Sequence, residues 1–358
     1  MRWVILWVMI VTGLAPVIQA QGFDRRAMLD NIATNIIEPQ HEAFFAEALA
    51  LQSAIHTLQA DLNLQNLTTA QAAWKRAAYE WAKCELFSSQ RIMLLHNQIN
   101  KWETNTHFIE NFIAGDEELD SAFIETIGST AKGLPAIEYL IFEPAQDNAA
   151  VLDQLASNTR RLDYLVALAD NLIFKTEELL NVWSRAGVKY LETFITADGE
   201  GNNSQSTISR LTNEMVVYLD DILNRRLEIP LGRNTGGTIQ PESLQAWRSG
   251  YSAALIQSRL EGFQWAFNGG EGIGFDDYLD FLGATYEGEP LSAVINQRVE
   301  RVLGTLERLE APLYQLLAQD PEQVRTLTAQ VRNLFILVRV DMVSWLGVTL
   351  TFTDRDGD

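Results

Sequence analysis

The chain has 358 residues, a formal net charge of −20 at pH 7, one cysteine and four histidines. A surface this acidic repels nucleic acid and anionic lipid and attracts cations. The single Cys84 excludes an internal disulfide, so packing must hold the fold, and the length suffices for one large core or two modest ones.

Residues 1–20, MRWVILWVMIVTGLAPVIQA, read as a signal peptide: Arg2, an apolar run from Trp3 to Val11, a break at Gly13 and Pro16, and small Ala20 before Gln21. The run falls short of the about 20 apolar residues that span a bilayer, so no membrane span is expected after cleavage. No Cys follows the run, which excludes a lipid-modified N-terminal Cys. Cleavage removes Arg2 and no acid, taking the charge from −20 to −21. The expected location is the periplasm or cell envelope.

Beyond this segment the apolar residues recur every three to four positions and clean alternation is almost absent, which predicts an all-α fold. Helices are expected over 37–62, with Phe44, Phe45, Ala48, Leu51, Ile55 and Leu58 inward, and over 69–100, with Trp74, Ala77, Ala78 and Trp81 on one stripe. Others are expected near 151–193, 207–228, 242–267, 291–318 and 321–346. The Gly- and Asn-rich stretch ADGEGNNSQS (197–206) reads as a linker between an N-terminal helical bundle, 21–196, and a C-terminal one, 207–358. The segments AAWKRAAYEWAKCELF (72–87) and QAWRSGYSAALIQSRLEGF (245–263) share an Ala-Trp-basic start and a following Tyr, a hint of internal duplication. PLGRNTGG (230–237) and NGGEGIGFDD (268–277) lack the residues of a phosphate loop and read as plain loops.

Several ionisable residues fall on apolar stripes. Glu138, in KGLPAIEYLIF (132–142), lies among Leu134, Ile141 and Phe142 on one helical face. Glu85 continues the stripe of Trp74 and Trp81. Arg259, with Glu261 beside it, follows Leu255 by four and Tyr251 by eight. Asp341 stands seven after Leu334 and four before Trp345. Each such group needs a partner, because burying a lone charge costs several kcal/mol. Three inward acids, Glu85, Glu138 and Asp341, against one Arg leave net negative charge, which a bound cation or shifted pKa values would resolve. No two of His41, His56, His96 and His107 stand one helical turn apart, and HExxH is absent. A carboxylate site drawn from several helices would suit a hard cation such as Ca²⁺, Mn²⁺ or Fe³⁺. The terminal DRDGD fails as a calcium loop because its Gly357 comes too early, and Cys84 reads as a small core thiol.

Four segments in order, AWKRAAYEWAKCELF (73–87), GLPAIEYLIF (133–142), SRLEGFQWAF (258–267) and LGVTLTFTDRDGD (346–358), resemble the imelysin-like proteins. The resemblance implies an exported cell-envelope protein of two helical bundles with a site between them, in a family whose role is argued between metallopeptidase and iron or metal acquisition. The family signature is Gly-x-His-x-x-Glu. Gly133 and Glu138 match it, and Pro135 stands in place of the His. Of the family's Trp-Glu-x-x-Glu, Trp81 and Glu85 are kept and Ala82 replaces the first acid. Proline has no ligand atom, so the departure weakens hydrolysis more than binding. The resemblance therefore implies a non-catalytic protein for iron or another metal, as ion or chelate, with Glu138 and Glu85 as metal ligands and Arg259, Glu261 and Asp341 near the bound species. Two alternatives are a metallopeptidase that draws a replacement ligand from one of the four histidines, and an acidic scaffold for an envelope partner protein.

Overall fold

The apolar period is realised as helix along nearly all of the chain, in a computed structural model that describes residues 22–88, 92–144, 147–187, 190–197 and 206–351. The expected signal peptide, most of the expected linker and the terminal DRDGD lie outside the described residues. Helix α1 (Arg25–Ile32) runs through a π-helical turn, Ala33–Ile37, into α2 (Glu38–Ala60). Then come α3 (Leu64–Cys84), α4 (Met93–Ile99), α5 (Thr106–Ala114), α6 (Ser121–Thr126), α7 (Gly133–Ile141), α8 (Asn148–Ser157), α9 (Thr159–Trp183) and α10 (Tyr190–Thr196). In the second half α11 (Thr207–Asp220) passes into a π-helical segment, Asp221–Glu228, followed by α12 (Ser252–Asn268), α13 (Phe275–Phe281), α14 (Leu291–Glu307) and α15 (Leu313–Gln319). Helix α16 (Pro321–Ile336) continues through π-helical Leu337–Met342 into α17 (Val343–Leu346). Among the described residues the strands are one antiparallel hairpin, β1 (Thr285–Tyr286) with β2 (Glu289–Pro290), pairing Thr285 with Pro290. The fold is all-α, as the periodicity predicts. No described helix is long and apolar enough to cross a membrane.

Local chemistry sets the breaks that periodicity misses. The helix expected over 69–100 ends at Cys84 and resumes at Met93, so that Asn100 comes back against Glu85. The helix expected from 242 begins only at Ser252, because residues 246–250 form a turn with Ala246 in the left-handed region at φ 57°. In the 151–193 stretch, Asn158 starts α9 by accepting from the Arg160 backbone N–H at 3.1 Å. Pro312, which has no N–H to donate, separates α14 from α15.

Helix α2 packs between α3 and α9, and α3 turns its other flank to α12. The buried apolar side chains form one continuous cluster from Met28 to Val348. Small residues let α12 approach α3 closely: the Ser258 hydroxyl donates to the Tyr79 carbonyl at 2.5 Å, and one turn on Gly262 lies against the Lys83 backbone. A Cβ on Gly262 would stand 3.0 Å from Lys83 Cα and 3.1 Å from its carbonyl oxygen, atoms of a buried helix that cannot swing aside. Gly262→Ala is therefore expected to destabilise the fold by about 1–3 kcal/mol in chemical denaturation, as overpacking does. Unchanged stability would show that the crossing has slack.

Candidate functional site

The close crossing at Ser258 delivers the next residue, Arg259, onto the end of α3. There its guanidinium, 1% exposed, donates Nη2 to Glu85 Oε2 and Nη1 to Asp221 Oδ2, the latter at 3.0 Å. Burial lowers the Arg259 pKa to about 9, so it stays charged at neutral pH. Both acids have further donors. Glu85 Oε1 accepts from the Trp81 indole N–H at 2.8 Å and from the Asn100 amide, and Asp221 Oδ2 accepts from Arg226 Nε at 2.9 Å. Arg225 Nη1 stands 3.7 Å from Asp221 Oδ1. Asp221, Arg225 and Arg226 fall side by side because the backbone over Asp221–Glu228 is π-helical, placing residues four and five apart on one face. The Tyr218 hydroxyl, one turn earlier, donates to the Ala82 carbonyl and ties α11 to α3.

Glu138 is answered differently. It is 6% exposed on α7, and its Oε1 accepts from the Ser249 backbone N–H at 2.9 Å. Burial raises its pKa, opposed by the Ser249 donors and by Arg248. A carboxylate that caps the 246–250 turn explains why α12 starts late: the Ser249 N–H is already committed. Helix α7 is fixed by α3, whose Gln71 and Trp74, three apart, donate to the Ile141 and Leu134 carbonyls at 2.7 and 2.8 Å. Gly133 opens α7 at φ +73°, where a Cβ would meet the Ile99 carbonyl oxygen at 2.2 Å. Only glycine fits there.

Two spaces adjoin these groups. A cavity of about 10 Å³ is lined by Pro135, Glu138, Trp74, Trp81, Asn100 and Arg259 among others, room for at most one water. Glu138 is the one carboxylate lining it, and the Arg259 guanidinium would repel a cation there. Next to it, a cleft of about 500 Å³ opens between α3 and α4 on one side and the α11 rod on the other. Glu85, His96, Asn97, Asn100, Lys101, Trp102, Glu214, Asp221, Arg225 and Arg226 contribute to its walls.

Of the residues singled out from sequence, Glu85 and Arg259 meet directly. Glu138 shares the small cavity with Arg259 but takes backbone donors. Glu261 faces away, accepting from the Tyr79 hydroxyl at 2.8 Å and from Gln257 at 3.0 Å. Asp341 sits partly exposed in the π-helical segment of the C-terminal rod and lines neither space. Asp221, Asn100, Arg226 and Ser249 are site residues that stripe reasoning misses. Of the histidines, His96 lines the cleft with its ring edge-on to Trp81 at 4.9 Å. His41 is buried on α2, its Nδ1 2.7 Å from the Ile37 carbonyl oxygen, with its pKa lowered to about 4 by burial. His56 Nε2 lies 2.8 Å from Asp170, and His107 lies against Asn111. Among the described residues no three His, Cys, Asp or Glu side chains are arranged to hold a metal ion.

A family model described as Imelysin, Peptidase_M75, matches residues 37–339. No curated protein matches the chain. Two crystal structures share the fold. An imelysin-like protein from Psychrobacter arcticum 273-4 aligns with TM-score 0.73 at 14% identity, covering 92% of this chain and 97% of that one. A "putative iron-regulated protein A precursor" from Parabacteroides distasonis ATCC 8503 aligns with TM-score 0.72 at 15% identity, covering 90% and 95%.

Because the folded-state pKa of Glu138 is raised, the folded protein holds a proton that the unfolded chain has released, and stability falls as pH rises through the folded pKa. Glu138→Gln keeps an acceptor for Ser249 without the charge. It should therefore gain stability relative to wild type as pH rises from about 4.5, the ordinary glutamate range, while Glu138→Ala loses about 1–3 kcal/mol by orphaning a buried N–H. Denaturation curves across pH check this. A wild-type minus Gln difference that does not move with pH would contradict the buried-carboxyl account.

Proposed function

The chain belongs to the imelysin family, and from that premise we propose that it is an exported, non-catalytic cell-envelope protein. Its cargo is iron or another metal, taken in the cleft between its N-terminal and C-terminal helices. The observation that carries this reading is the cleft itself, about 500 Å³, where α3 and α4 meet the α11 rod, adjoining the small cavity that Pro135 and Glu138 line. That volume is in the range of small-molecule sites. Support for export and for iron comes from the name of the Parabacteroides distasonis neighbour, an iron-regulated protein precursor. The two-bundle organisation, 21–196 and 207–358, is part of the same proposal.

Hydrolysis by a metal needs about three protein ligands, an open position and a base. At the signature, Pro135 supplies no ligand, Glu138 is held by Ser249, and Arg259 stands beside it. Glu85 and Asp221 are engaged by arginine. These residues do not fit a resident metal centre, which favours a carrier over a peptidase.

The test is thermal stabilisation of the chain freed of its leader by Fe³⁺, Fe²⁺, Cu²⁺, Zn²⁺, Mn²⁺ and Ca²⁺, each as the simple salt and as a soluble chelate. Cargo at a hundred times its dissociation constant should add about 2.7 kcal/mol of stability. Absence of any shift with every metal in both forms would remove metal carriage from the reading.

A further inference from the structure

The form in which the cleft takes its cargo follows from which of its charges are free, and this inference rests on the cargo reading above. The cleft is lined by three acids, Glu85, Glu214 and Asp221, and by three bases, Lys101, Arg225 and Arg226, with Arg259 directly beneath. None of the three acids is free. Glu85 takes Arg259, the Trp81 indole and Asn100, and Asp221 takes Arg226 and Arg259. The bases hold more in reserve. Arg225 is exposed, donates Nη2 to the Trp102 carbonyl at a long 3.4 Å, and reaches Asp221 only at 3.7 Å, so no carboxylate holds it closely. Arg226, more than nine-tenths buried, leaves Nη1 without a hydrogen-bond partner among the described residues. Such an orphaned charged donor is destabilising unless something accepts from it. Both guanidiniums lie over the Trp102 ring, at 5.9 and 5.1 Å, which holds their planes together at the cleft wall.

A bare cation entering this cleft would find Glu85 and Asp221 already balanced by arginine and would face bases that repel it. A ligand with oxyanion arms would meet donors whose fork geometry matches a carboxylate. The overall charge of −20 does not forbid this, because screening at physiological salt confines it to about 8 Å, so that the nearby bases dominate contact. We propose that the cleft recognises its metal as an anionic chelate, whose carboxylate arms are taken by Arg225, Arg226 and Lys101, rather than as a bare ion.

Isothermal titration of the full leaderless chain tests this with iron(III) citrate, iron-free citrate, and manganese and zinc chlorides. The Arg225→Ala/Lys101→Ala double variant is run alongside. Both of its positions are on the cleft rim, so its melting temperature should match wild type. Iron(III) citrate and citrate should both bind, and the double variant should weaken both by at least about tenfold, the loss of one charge-assisted contact. Binding unaltered in the double variant, or no response to either citrate form, overturns the proposal. Uptake of manganese or zinc without any response to citrate overturns it while leaving metal carriage standing. Uptake of iron-free citrate alone upholds the anion site and removes the metal.

Discussion

The guanidinium of Arg259 is the point on which the rest of the site depends. Stripped of water, a lone charge at 1% exposure would be prohibitive, and two carboxylates from different elements offset it: Glu85 at the end of α3 and Asp221 where α11 becomes π-helical. Three rods are thereby registered on one ion cluster. Removing one member of such a cluster strands the others, so its parts constrain each other more than any one stabilises the fold. The same geometry decides the chemistry. Carboxylates that balance a buried arginine are poor candidates for a metal ion, and the cleft they floor is left with bases at its rim.

The retained signature residues have reasons of their own to be there. Gly133 adopts a left-handed backbone against the Ile99 carbonyl, and Glu138 closes the 246–250 turn from across the molecule. Neither role requires an imidazole at position 135. Proline in the first turn of α7 leaves the backbone intact, and the adjoining cavity has about the size of one water. The larger space lies next door, in the cleft.

Much of this was legible in the sequence. The apolar period points to the helical fold, and the apolar stripes point to the burial of Glu138 and Arg259 and the partial burial of Glu85. Two of the misses, Asp341 and Asp221, share a cause: stripe counting assumes 3.6 residues per turn, and π-helical segments break that phase. Counting from Leu334 and Trp345 turns Asp341 inward, but the count crosses Leu337–Met342, where the phase slips, and Trp345 is itself 41% exposed. Asp221 was invisible for the converse reason, since it faces Arg259 only because the rod widens at that residue. Glu261 lies two residues from Arg259 and so on another face of α12, toward Tyr79. The late start of α12 could not be read from propensity, because a distant carboxylate holds Ser249 out of the helix.

The most direct test of this account is a double-mutant cycle between Glu85 and Arg259, using Glu85→Gln, Arg259→Met and the double variant in chemical denaturation. If the buried pair organises the junction, the two substitutions are strongly non-additive, with a coupling of about 2 kcal/mol or more. Additive losses, with coupling near zero, would mean that the guanidinium and the carboxylate are satisfied independently and that the junction rests on packing alone.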